Sequence, residues 1–245
     1  MAIETFNRYE YKYLINADTF EKMSSVLLEF MTPDKYNIAG KAYSIANLYY
    51  DTNDDFLIRT SLSKPAYKEK LRLRAYGIPN LSDKVFLEIK KKYKGIVNKR
   101  RTNIILEDAY FFTEHGYPPK ITSIINIQVA KEISQFLKFY PVLPKLYLTY
   151  DRFAFFGKEN PNLRVSFDTN IRTRRYDLRL EYGNYGEKLL DEGFYLMEIK
   201  AGNSIPLWLT KILSDYEIQR RSFSKYGTEF KKHLSDTKMR YVVNG

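Results

Sequence analysis

An alternation of charged and apolar side chains, repeated in five segments, is the feature that most constrains how this chain folds. In the first segment, RYEYKYLI, the charged residues Arg8, Glu10 and Lys12 alternate with tyrosines. Because successive side chains of a β-strand point to opposite faces, this spacing predicts a strand with one charged face and one aromatic face. The same alternation recurs in KEKLRLRAY, VFLEIKKK, LRVSFDT and YLMEIKA. We therefore expect these strands to share one sheet, with their charges on a common face.

The other predicted elements surround these strands. Apolar residues at helical spacing predict helices at 17–31 and 121–139, and a last helix that begins near Ser204. After the first segment, strands are predicted at 43–52, 67–77, 84–93, 96–106, 145–156, 163–172 and 194–201, and four of these ranges contain the other alternating segments. The chain has no repeat and no linker rich in Pro, Gly or Ser, so we predict a single domain over residues 1–245. This many strands indicates an α+β fold, an antiparallel barrel or sandwich with helices packed on its outside.

The charge balance narrows the class of partner. Lys and Arg number 40 against 29 Asp and Glu, a formal net charge of +11, which favours an anionic partner such as a nucleic acid, an anionic lipid, a nucleotide or a phosphate polymer. The absence of cysteine excludes disulfides, thiolate metal sites and a cysteine nucleophile. No apolar run approaches the ~20 residues of a membrane span, and the first residues do not resemble a signal peptide. A cytoplasmic protein is expected.

Two arrangements fit a shared charged face. Antiparallel sheets commonly bury one face and expose the other to water, and an exposed basic sheet could bind RNA. Alternatively, the strands curl so that the apolar faces meet the helices and the charged faces point inward. Like charges packed inward repel one another and lose hydration, so this second arrangement requires a polyanion as its ligand. The spacing alone leaves both arrangements open.

The order of the charged motifs resembles that of a known family. The motifs are, in chain order, Arg8-x-Glu10-x-Lys12, Arg72-x-Arg74, Glu88-x-Lys90, Tyr150-Asp151-Arg152, Arg164-Val165-Ser166-Phe167-Asp168, Glu198-x-Lys200 and Phe223-Ser224-Lys225. This series is similar to that of the VTC domain, the polyphosphate polymerase domain of the vacuolar transporter chaperone complex, over residues 6 to about 230. The resemblance implies the fold of the triphosphate tunnel metalloenzymes, an antiparallel eight-stranded barrel with a charged lumen and helices outside.

The resemblance also implies roles for individual residues. The implied catalytic residues are Lys12, Arg72, Arg74, Lys90 and Arg152. The implied substrate-binding residues are Arg8, Arg164, Lys200 and Lys225. Glu198 is implied as the ligand of a Mn²⁺ or Mg²⁺ cofactor, and its alternative role is a salt bridge with Lys200 or a neighbouring Arg. Glu10 and Glu88 are expected to orient Lys12 and Lys90.

Three positions depart from the family pattern or stay open. Arg8 stands where tunnel triphosphatases usually carry the first Glu of an ExExK motif, which removes one carboxylate from the metal-binding and water-activating set and favours a polymerase over a hydrolase. Ser222 stands where a second lysine is expected, with Arg221 beside it. The inward cation of the 96–106 strand is either Lys99 or Arg101.

The expected activity is therefore a metal-dependent polyphosphate polymerase that transfers the γ-phosphate of ATP to a growing polyphosphate chain. The alternatives are a tunnel hydrolase of triphosphate, polyphosphate or nucleotides, and a non-catalytic module that binds polyphosphate or RNA. ATP and polyphosphate are the expected partners, and DNA is not expected. The chain lacks the SPX domain and membrane helices of eukaryotic relatives, so regulation or translocation would come from a separate membrane protein partner, which would hold it at the inner face of a membrane.

Overall fold

The computed structural model describes residues 9–94, 96–120, 123–202 and 204–243, apart from the side chains of residues 125 and 238–243. The strands are β1 (Tyr9–Asn16), β2 (Met31–Pro33), β3 (Tyr43–Thr52), β4 (Tyr67–Tyr76), β5 (Lys84–Tyr93), β6 (Ile96–Ile105), β7 (Val142–Gly157), β8 (Arg164–Arg174), β9 (Glu187–Lys188) and β10 (Phe194–Ala201). The helices are α1 (Ala17–Phe30), α2 (Phe56–Leu62), α3 (Leu106–His115), α4 (Ile124–Phe139), α5 (Leu207–Asp215) and α6 (Lys225–Val243). Two short 3₁₀ turns lie at Ile38–Gly40 and Leu180–Tyr182.

The strands form one antiparallel sheet. Its main path has eight strands in the order β1-β10-β8-β7-β3-β4-β5-β6, and the short strands β2 and β9 pair with β7 and β8. The predicted α+β class and the antiparallel eight-stranded arrangement are confirmed. Within the described residues, however, the edge strands β1 and β6 do not pair with each other, so the sheet is not a closed barrel.

The outer face of the sheet is apolar and is covered by helices, as the period-two pattern predicts. Under α3 and α4, a core of strand residues such as Leu71, Leu73 and Leu87 packs against Phe112 and Ile133. A second core under α1 and α5 covers the part of the sheet formed by β1, β10 and β8. It contains Tyr13, Met23, Leu27, Phe167, Met197, Ile199 and Leu209. The tyrosines of the opening segment thus belong to the outer face, although Tyr9, at the start of β1, stays exposed.

The opposite face, which we call the inner face, carries the alternate positions of the same strands. Part of it is apolar and is covered by α6, whose Tyr226 and Phe230 pack with Leu146, Leu148 and Leu196. The prediction that helices pack outside therefore holds for α1, α3, α4 and α5, whereas α6 packs on the inner face.

Buried polar contacts fix the position of α6. The Tyr226 hydroxyl donates a 3.0 Å hydrogen bond to Asp51 Oδ2, and the same carboxylate accepts bonds from the backbone N–H groups of Leu57 and Ile58 at the start of α2. Arg175 donates two 2.8 Å bonds to the Glu229 carboxylate. These contacts hold the first turn of α6, and with it Lys225, over the inner face.

The edge of β1 is covered by the segment that precedes α6. Tyr13 forms a bridge with Arg220, and the Arg221 N–H donates a 2.7 Å bond to the Lys12 carbonyl. Covering an edge strand removes a template for pairing with other chains. Among the described helices, none combines the length and apolarity required to cross a bilayer.

Candidate functional site

Strand register brings the charged motifs together on the inner face. Lys12 lies opposite Glu198 in the β1–β10 pair, and Arg72 lies opposite Glu88 in the β4–β5 pair. Paired residues of antiparallel strands present their side chains on the same face. The inner-face charges are Glu10, Lys12, Lys68, Lys70, Arg72, Arg74, Glu88, Lys90, Lys92, Lys99, Arg101, Arg152, Arg164, Asp168, Glu198 and Lys200, and α6 adds Lys225.

The sheet curls so that charges of distant strands face one another. β1 and β5 are six steps apart in the sheet and would lie about 29 Å apart if the sheet were flat. Burial and the Glu198 carboxylate raise the pKa of Glu10, but the net shift is downward because Lys200, Lys12 and Lys90 outweigh them. Contacts through α6 show the same convergence: Lys70 Nζ of β4 lies 5.8 Å from the Tyr226 ring centroid, and the adjacent Lys225 contacts Glu198 of β10. The inner face encloses a charged groove between the two edges of the sheet.

Glu198 is the centre of a first cluster of charges. Its Oε1 atom lies 3.3 Å from Lys12 Nζ and 3.4 Å from Lys225 Nζ. Its Oε2 atom lies 3.6 Å from Lys200 Nζ and 4.0 Å from Arg152 Nη2. Burial opposes ionisation of Glu198, but these cations outweigh burial and hold its pKa well below the usual value. Glu198 is thus a buried carboxylate anion among cations.

Asp168 pairs with the cations next to Glu198. Arg152 grips it with two hydrogen bonds, Nε to Oδ1 at 2.6 Å and Nη2 to Oδ2 at 2.8 Å, and Lys225 Nζ contacts Oδ2. Asp168 is fully buried, and burial raises the pKa of a carboxyl, but Arg152 and Lys225 bring the pKa of Asp168 below its usual value. Arg152 and Lys225 contact both carboxylates and join them into one network.

A second cluster surrounds Glu88. Arg72 Nε donates a 2.8 Å hydrogen bond to Glu88 Oε2, and Arg72 Nη2 lies 2.7 Å from the same oxygen. Lys99 Nζ lies 2.7 Å from Oε1. Arg74 Nε is 3.9 Å from Oε2. The expected pairing of Glu88 with Lys90 is therefore wrong, because register places Glu88 between Arg72 on β4 and the cations of β6. By contrast, Glu10 lies 3.1 Å from Lys12 as expected.

The structure resolves the choice between Lys99 and Arg101. The two residues are two positions apart on β6, so both belong to the inner face, and Lys99 is the one that contacts Glu88. The Arg101 guanidinium lies 4.5 Å from the centroid of the Phe86 ring. Arg100, between them, faces outward and pairs with Glu132 of α4.

Two tyrosines to which the sequence analysis assigned no role contact the arginines. Tyr49 accepts a 2.9 Å hydrogen bond from Arg72 Nη1, and Tyr150 accepts a 3.3 Å bond from Arg74 Nη2. Lys225 Nζ lies 4.5 Å from the centroid of the Tyr150 ring. Burial raises the pKa of Tyr150, but Arg152 and Arg74 reverse the shift and lower it. Tyr150 thus lies between the Glu198 and Glu88 clusters.

The remaining predicted residues lie around these clusters. Arg164 donates a 3.2 Å bond to the Tyr43 hydroxyl and lies 3.7 Å from Asp34. Lys90 lies opposite Lys70 on one side and Lys99 on the other, and it forms no ion pair within the described part of the chain. Arg8 lies outside the described residues, so its predicted role stays a prediction.

A cavity of about 450 Å³ opens beside β1. It is lined by Glu10, Lys12, Arg220, Arg221, Ser222 and Phe223. Ser222, where the family pattern has a lysine, therefore lines this cavity together with two arginines. The cavity provides an anion with access to Lys12.

Several lysines of the groove have depressed pKa values. Burial lowers the pKa of Lys99 to about 7, against the effect of Glu88, and it lowers those of Lys70 and Lys200 to about 8. Burial likewise opposes the charge of Lys12, but Glu198 and Glu10 outweigh it and raise the pKa of Lys12. The groove therefore holds some fixed cations and some lysines that lose their proton near neutral pH.

The low pKa of Lys99 predicts pH-dependent binding of anions. Below about pH 7 the Lys99 side chain is an ammonium ion that attracts a polyanion. Above about pH 7 it is a neutral amine in the free protein, so Lys99 has to take up a proton before it can attract the polyanion. Affinity for tripolyphosphate is therefore expected to fall with rising pH, by roughly tenfold between about pH 6 and about pH 8 from this residue alone. Titration calorimetry with Lys99→Arg as the matched variant checks this, since a guanidinium keeps its charge. Parallel pH profiles of the parent and Lys99→Arg would contradict the assignment.

The carboxylates of the groove supply the type of ligand atom that a divalent cation prefers. Mg²⁺ and Mn²⁺ prefer oxygen ligands and are often held by one or two carboxylates together with phosphate oxygens and water. Glu198 and Glu10 are diagonal neighbours on β10 and β1 and supply such oxygens. Among the described residues, no group of three or more His, Cys, Asp or Glu side chains could enclose a metal ion. The residues thus fit an ion shared with phosphate rather than one held by the protein alone.

Solved structures share the fold of this chain. The chain superposes on a proposed adenylate cyclase from Bacillus halodurans with a TM-score of 0.51 at 16% identity, over 88% of this chain and 92% of that one. It superposes on HpAC1 from Hippeastrum, a proposed adenylyl cyclase described as having a dominant triphosphatase activity, with a TM-score of 0.50 at 16% identity, over 89% and 92%. No curated protein sequence matches the chain significantly. The chain thus shares the fold of these two proteins, and its own inner face forms a cation-lined groove.

The protein family follows from a match of the amino-acid sequence to a known domain family. The VTC domain family matches residues 7–233, which is nearly the whole chain. This protein belongs to the VTC domain family.

Proposed function

We propose that this protein is a metal-dependent polyphosphate polymerase that transfers the γ-phosphate of ATP to a growing phosphate chain. The observation that supports this best is the groove itself, where Arg and Lys side chains of seven strands and one helix surround a few carboxylates. Phosphoryl transfer requires little covalent help from a protein. It requires the attacking and leaving oxygens in line and the charge of the transferred group neutralised, which a surrounding set of cations provides.

Arg and Lys would divide this work. Arg72, Arg74 and Arg152 have planar guanidinium groups already oriented by Glu88, Asn47 and Asp168, and such groups can grip two phosphate oxygens at once. Lys12, Lys90, Lys200 and Lys225 act as more mobile point charges. Because Glu88, Asn47 and Asp168 hold these arginines in place before substrate binds, the arginine side chains do not have to be ordered during the reaction.

The extent of the cationic face favours a long polyanion over a triphosphate. Beyond the Glu88 cluster, Lys70 faces Lys90 and Lys68 faces Lys92 in register. Like charges directly opposite each other destabilise a sheet unless a counter-charge lies between them. From Lys68 to Arg74 the strand extends roughly 20 Å. Three phosphoryl groups cannot contact all of these cations together with Arg152 and Lys225, whereas a phosphate chain can.

Transfer to a phosphate chain is favoured over hydrolysis by the state of the carboxylates. A hydrolase needs a base or a metal-bound water to attack the phosphorus. Glu198, Glu88 and Asp168 are each paired with cations, and the position of the first Glu of the ExExK motif is Arg8. An anionic chain end is itself a nucleophile that the cations attract and orient.

Glu198, with Glu10 as its neighbour, is the proposed holder of Mg²⁺ or Mn²⁺. When bound, the ion would neutralise charge on the phosphoryl oxygens. Lys12 and Lys225, which contact Glu198 in the free protein, would then be available to the phosphates. A separate membrane protein as the acceptor of the chain stays a prediction.

The purified protein is expected to convert ATP to ADP and to phosphate chains that a gel resolves, only in the presence of Mn²⁺ or Mg²⁺. EDTA should stop the reaction, because it removes the divalent cation that neutralises the charge on the phosphoryl oxygens. Free phosphate or pyrophosphate as the sole phosphate product would show a hydrolase instead. Unchanged ATP with tight polyphosphate binding would show a binding module.

A further inference from the structure

Aromatic side chains gather at one end of the groove. The ring centroids of Tyr36, Tyr43 and Tyr76 lie 6.0–6.3 Å from one another, and Tyr76 also packs edge-on against Phe86 at 5.9 Å. Tyr43, Tyr76 and Phe86 belong to the inner face, since they occupy the same alternate positions as the cations of β3, β4 and β5. Tyr36 comes from the loop before β3.

Two of these rings are open to solvent. Tyr36 is 58% exposed and Tyr76 is 49% exposed, and their planes differ by only 22°. Aromatic faces left exposed beside a charged groove are costly to hydrate, and they are suited to stack on a flat, weakly polar ring. The apolar cores of the protein do not require these faces, because neither ring belongs to them.

The aromatic end is directly continuous with the phosphate-binding cations. Tyr43 lies opposite Arg152 in the β3–β7 pair, and its hydroxyl accepts the 3.2 Å bond from Arg164. The Arg164 Nε–H group is buried and has no hydrogen-bond partner within the described residues. A buried donor without a partner is costly, which indicates that a ligand acceptor completes the site.

A carboxylate orders the loop that carries Tyr36. Asp34 Oδ1 accepts a 3.2 Å bond from the Tyr36 N–H, and Asp34 Oδ2 accepts a 3.2 Å bond from the Tyr43 hydroxyl. The Lys35 ammonium lies 5.1 Å from the centroid of the Tyr36 ring. These contacts fix the position of the Tyr36 ring. They also place the Asp34 carboxylate oxygens at the aromatic end of the groove, where the hydroxyl groups of a sugar could donate hydrogen bonds to them.

We propose that Tyr36 and Tyr76 form the platform on which the base of the donor nucleoside triphosphate stacks, with its phosphates directed to Arg164 and Arg152. This inference rests on the proposed function, in which the donor is a nucleotide. The proposal also assigns a different ligand to each end of the groove. The aromatic and arginine-rich end takes the nucleotide. The lysine-lined end, where Lys68 and Lys92 face each other, takes the phosphate chain.

The test compares ATP with tripolyphosphate, which has the same phosphates and no base. Binding of each is measured by calorimetry in EDTA, so that no turnover occurs, for the parent, Tyr36→Ala and Tyr76→Ala. We expect both variants to bind ATP roughly tenfold more weakly and to bind tripolyphosphate within about twofold of the parent, since stacking contributes only with a base present. Tyr36→Phe should bind like the parent. Tyr93→Ala, at the β5–β6 hairpin and 53% exposed, is the matched control and should change neither affinity.

Two results would overturn the proposal. Equal losses for ATP and tripolyphosphate would show that the tyrosines only support the arginines, and unchanged ATP affinity in both variants would show that the base binds elsewhere. The outcome is separable from that of the proposed function. If the parent makes no phosphate chains but the tyrosine variants lose ATP selectively, the platform stands and the polymerase proposal falls; if it makes chains without that selective loss, the reverse holds.

Discussion

Arg152→Met is expected to lower the free energy of unfolding by about 3–5 kcal/mol and to abolish phosphoryl transfer. Arg152 is 5% exposed and makes a two-pronged hydrogen-bonded pair with the fully buried Asp168. Without the guanidinium, Lys225 is the one direct ionic partner left to the Asp168 carboxylate among the described residues, while the nearby Glu198 carboxylate repels it. A buried carboxylate that loses its main partner costs far more than a surface ion pair contributes.

The double variant Arg152→Met/Asp168→Asn separates stability from function. Removing both charges leaves no unpaired buried carboxylate, so denaturant unfolding should recover most of the lost free energy. Chain synthesis should stay absent, since the phosphate-binding guanidinium is still missing. Arg59→Met is the control, because Arg59 and its partner Asp54 are both more than half exposed and the variant should cost less than about 1 kcal/mol.

Other outcomes would count against these assignments. If Arg152→Met unfolds at the same denaturant concentration as Arg59→Met, the Arg152–Asp168 pair does not stabilise the fold. If the double variant synthesises chains at the rate of the parent, Arg152 does not contact the phosphates.

Local sequence patterns were sufficient to predict most of the strands and the identity of the charged face. The predicted strand 194–201 coincides with β10, and the predicted helix 17–31 ends one residue beyond α1. These elements are predictable because the alternation of two and the helical spacing are local signals, and each is reinforced by burial of one face. The cations of β1, β4 and β10 follow directly from that alternation.

The missing parts depend on contacts between residues far apart in the chain. Tyr49 lies on β3, whose inner positions Ile45 and Asn47 are uncharged, and Tyr150 lies on β7, where Arg152 is the single inner charge, so neither strand carries a charge alternation that would reveal which side chains face the groove. The pairing of Glu88 with Arg72 and Lys99 instead of Lys90 is set by register across three strands. The inner position of α6 depends on Asp51, 175 residues before Tyr226.

The carboxylates change the energetic argument that the sequence suggested. From spacing, an inward charged face requires a polyanion for its stability. In the folded chain, Glu88, Asp168 and Glu198 already compensate the arginines and several lysines. Within the part of the chain that the structure describes, the lysines without an ion-pair partner are concentrated at Lys70, Lys90 and Lys92, so the repulsion that a ligand relieves lies at one end of the groove, not throughout it.

Glu198→Gln is expected to abolish chain growth while leaving polyphosphate binding intact or tighter. The substitution keeps the shape of the side chain and removes one negative charge from among Lys12, Lys225, Lys200 and Arg152. The metal loses its proposed carboxylate, so turnover with Mn²⁺ should fall by at least about two orders of magnitude. Polyphosphate affinity, measured in EDTA, should not fall, because every cation remains and a repelling carboxylate is gone.

The stability of the same variant should depend on ligand. Without Glu198 the four cations repel one another, so the free protein should melt at a lower temperature than the parent, and polyphosphate should restore more of the melting temperature than it adds to the parent. Chloride at equal ionic strength should restore little, since screening is weak for buried charges. Glu192→Gln is the control, since Glu192 is 86% exposed and pairs only with Lys188 among the described residues.

A fully active Glu198→Gln protein would rule out the metal assignment. Loss of polyphosphate binding together with activity would instead show that Glu198 acts by positioning the lysines of the groove.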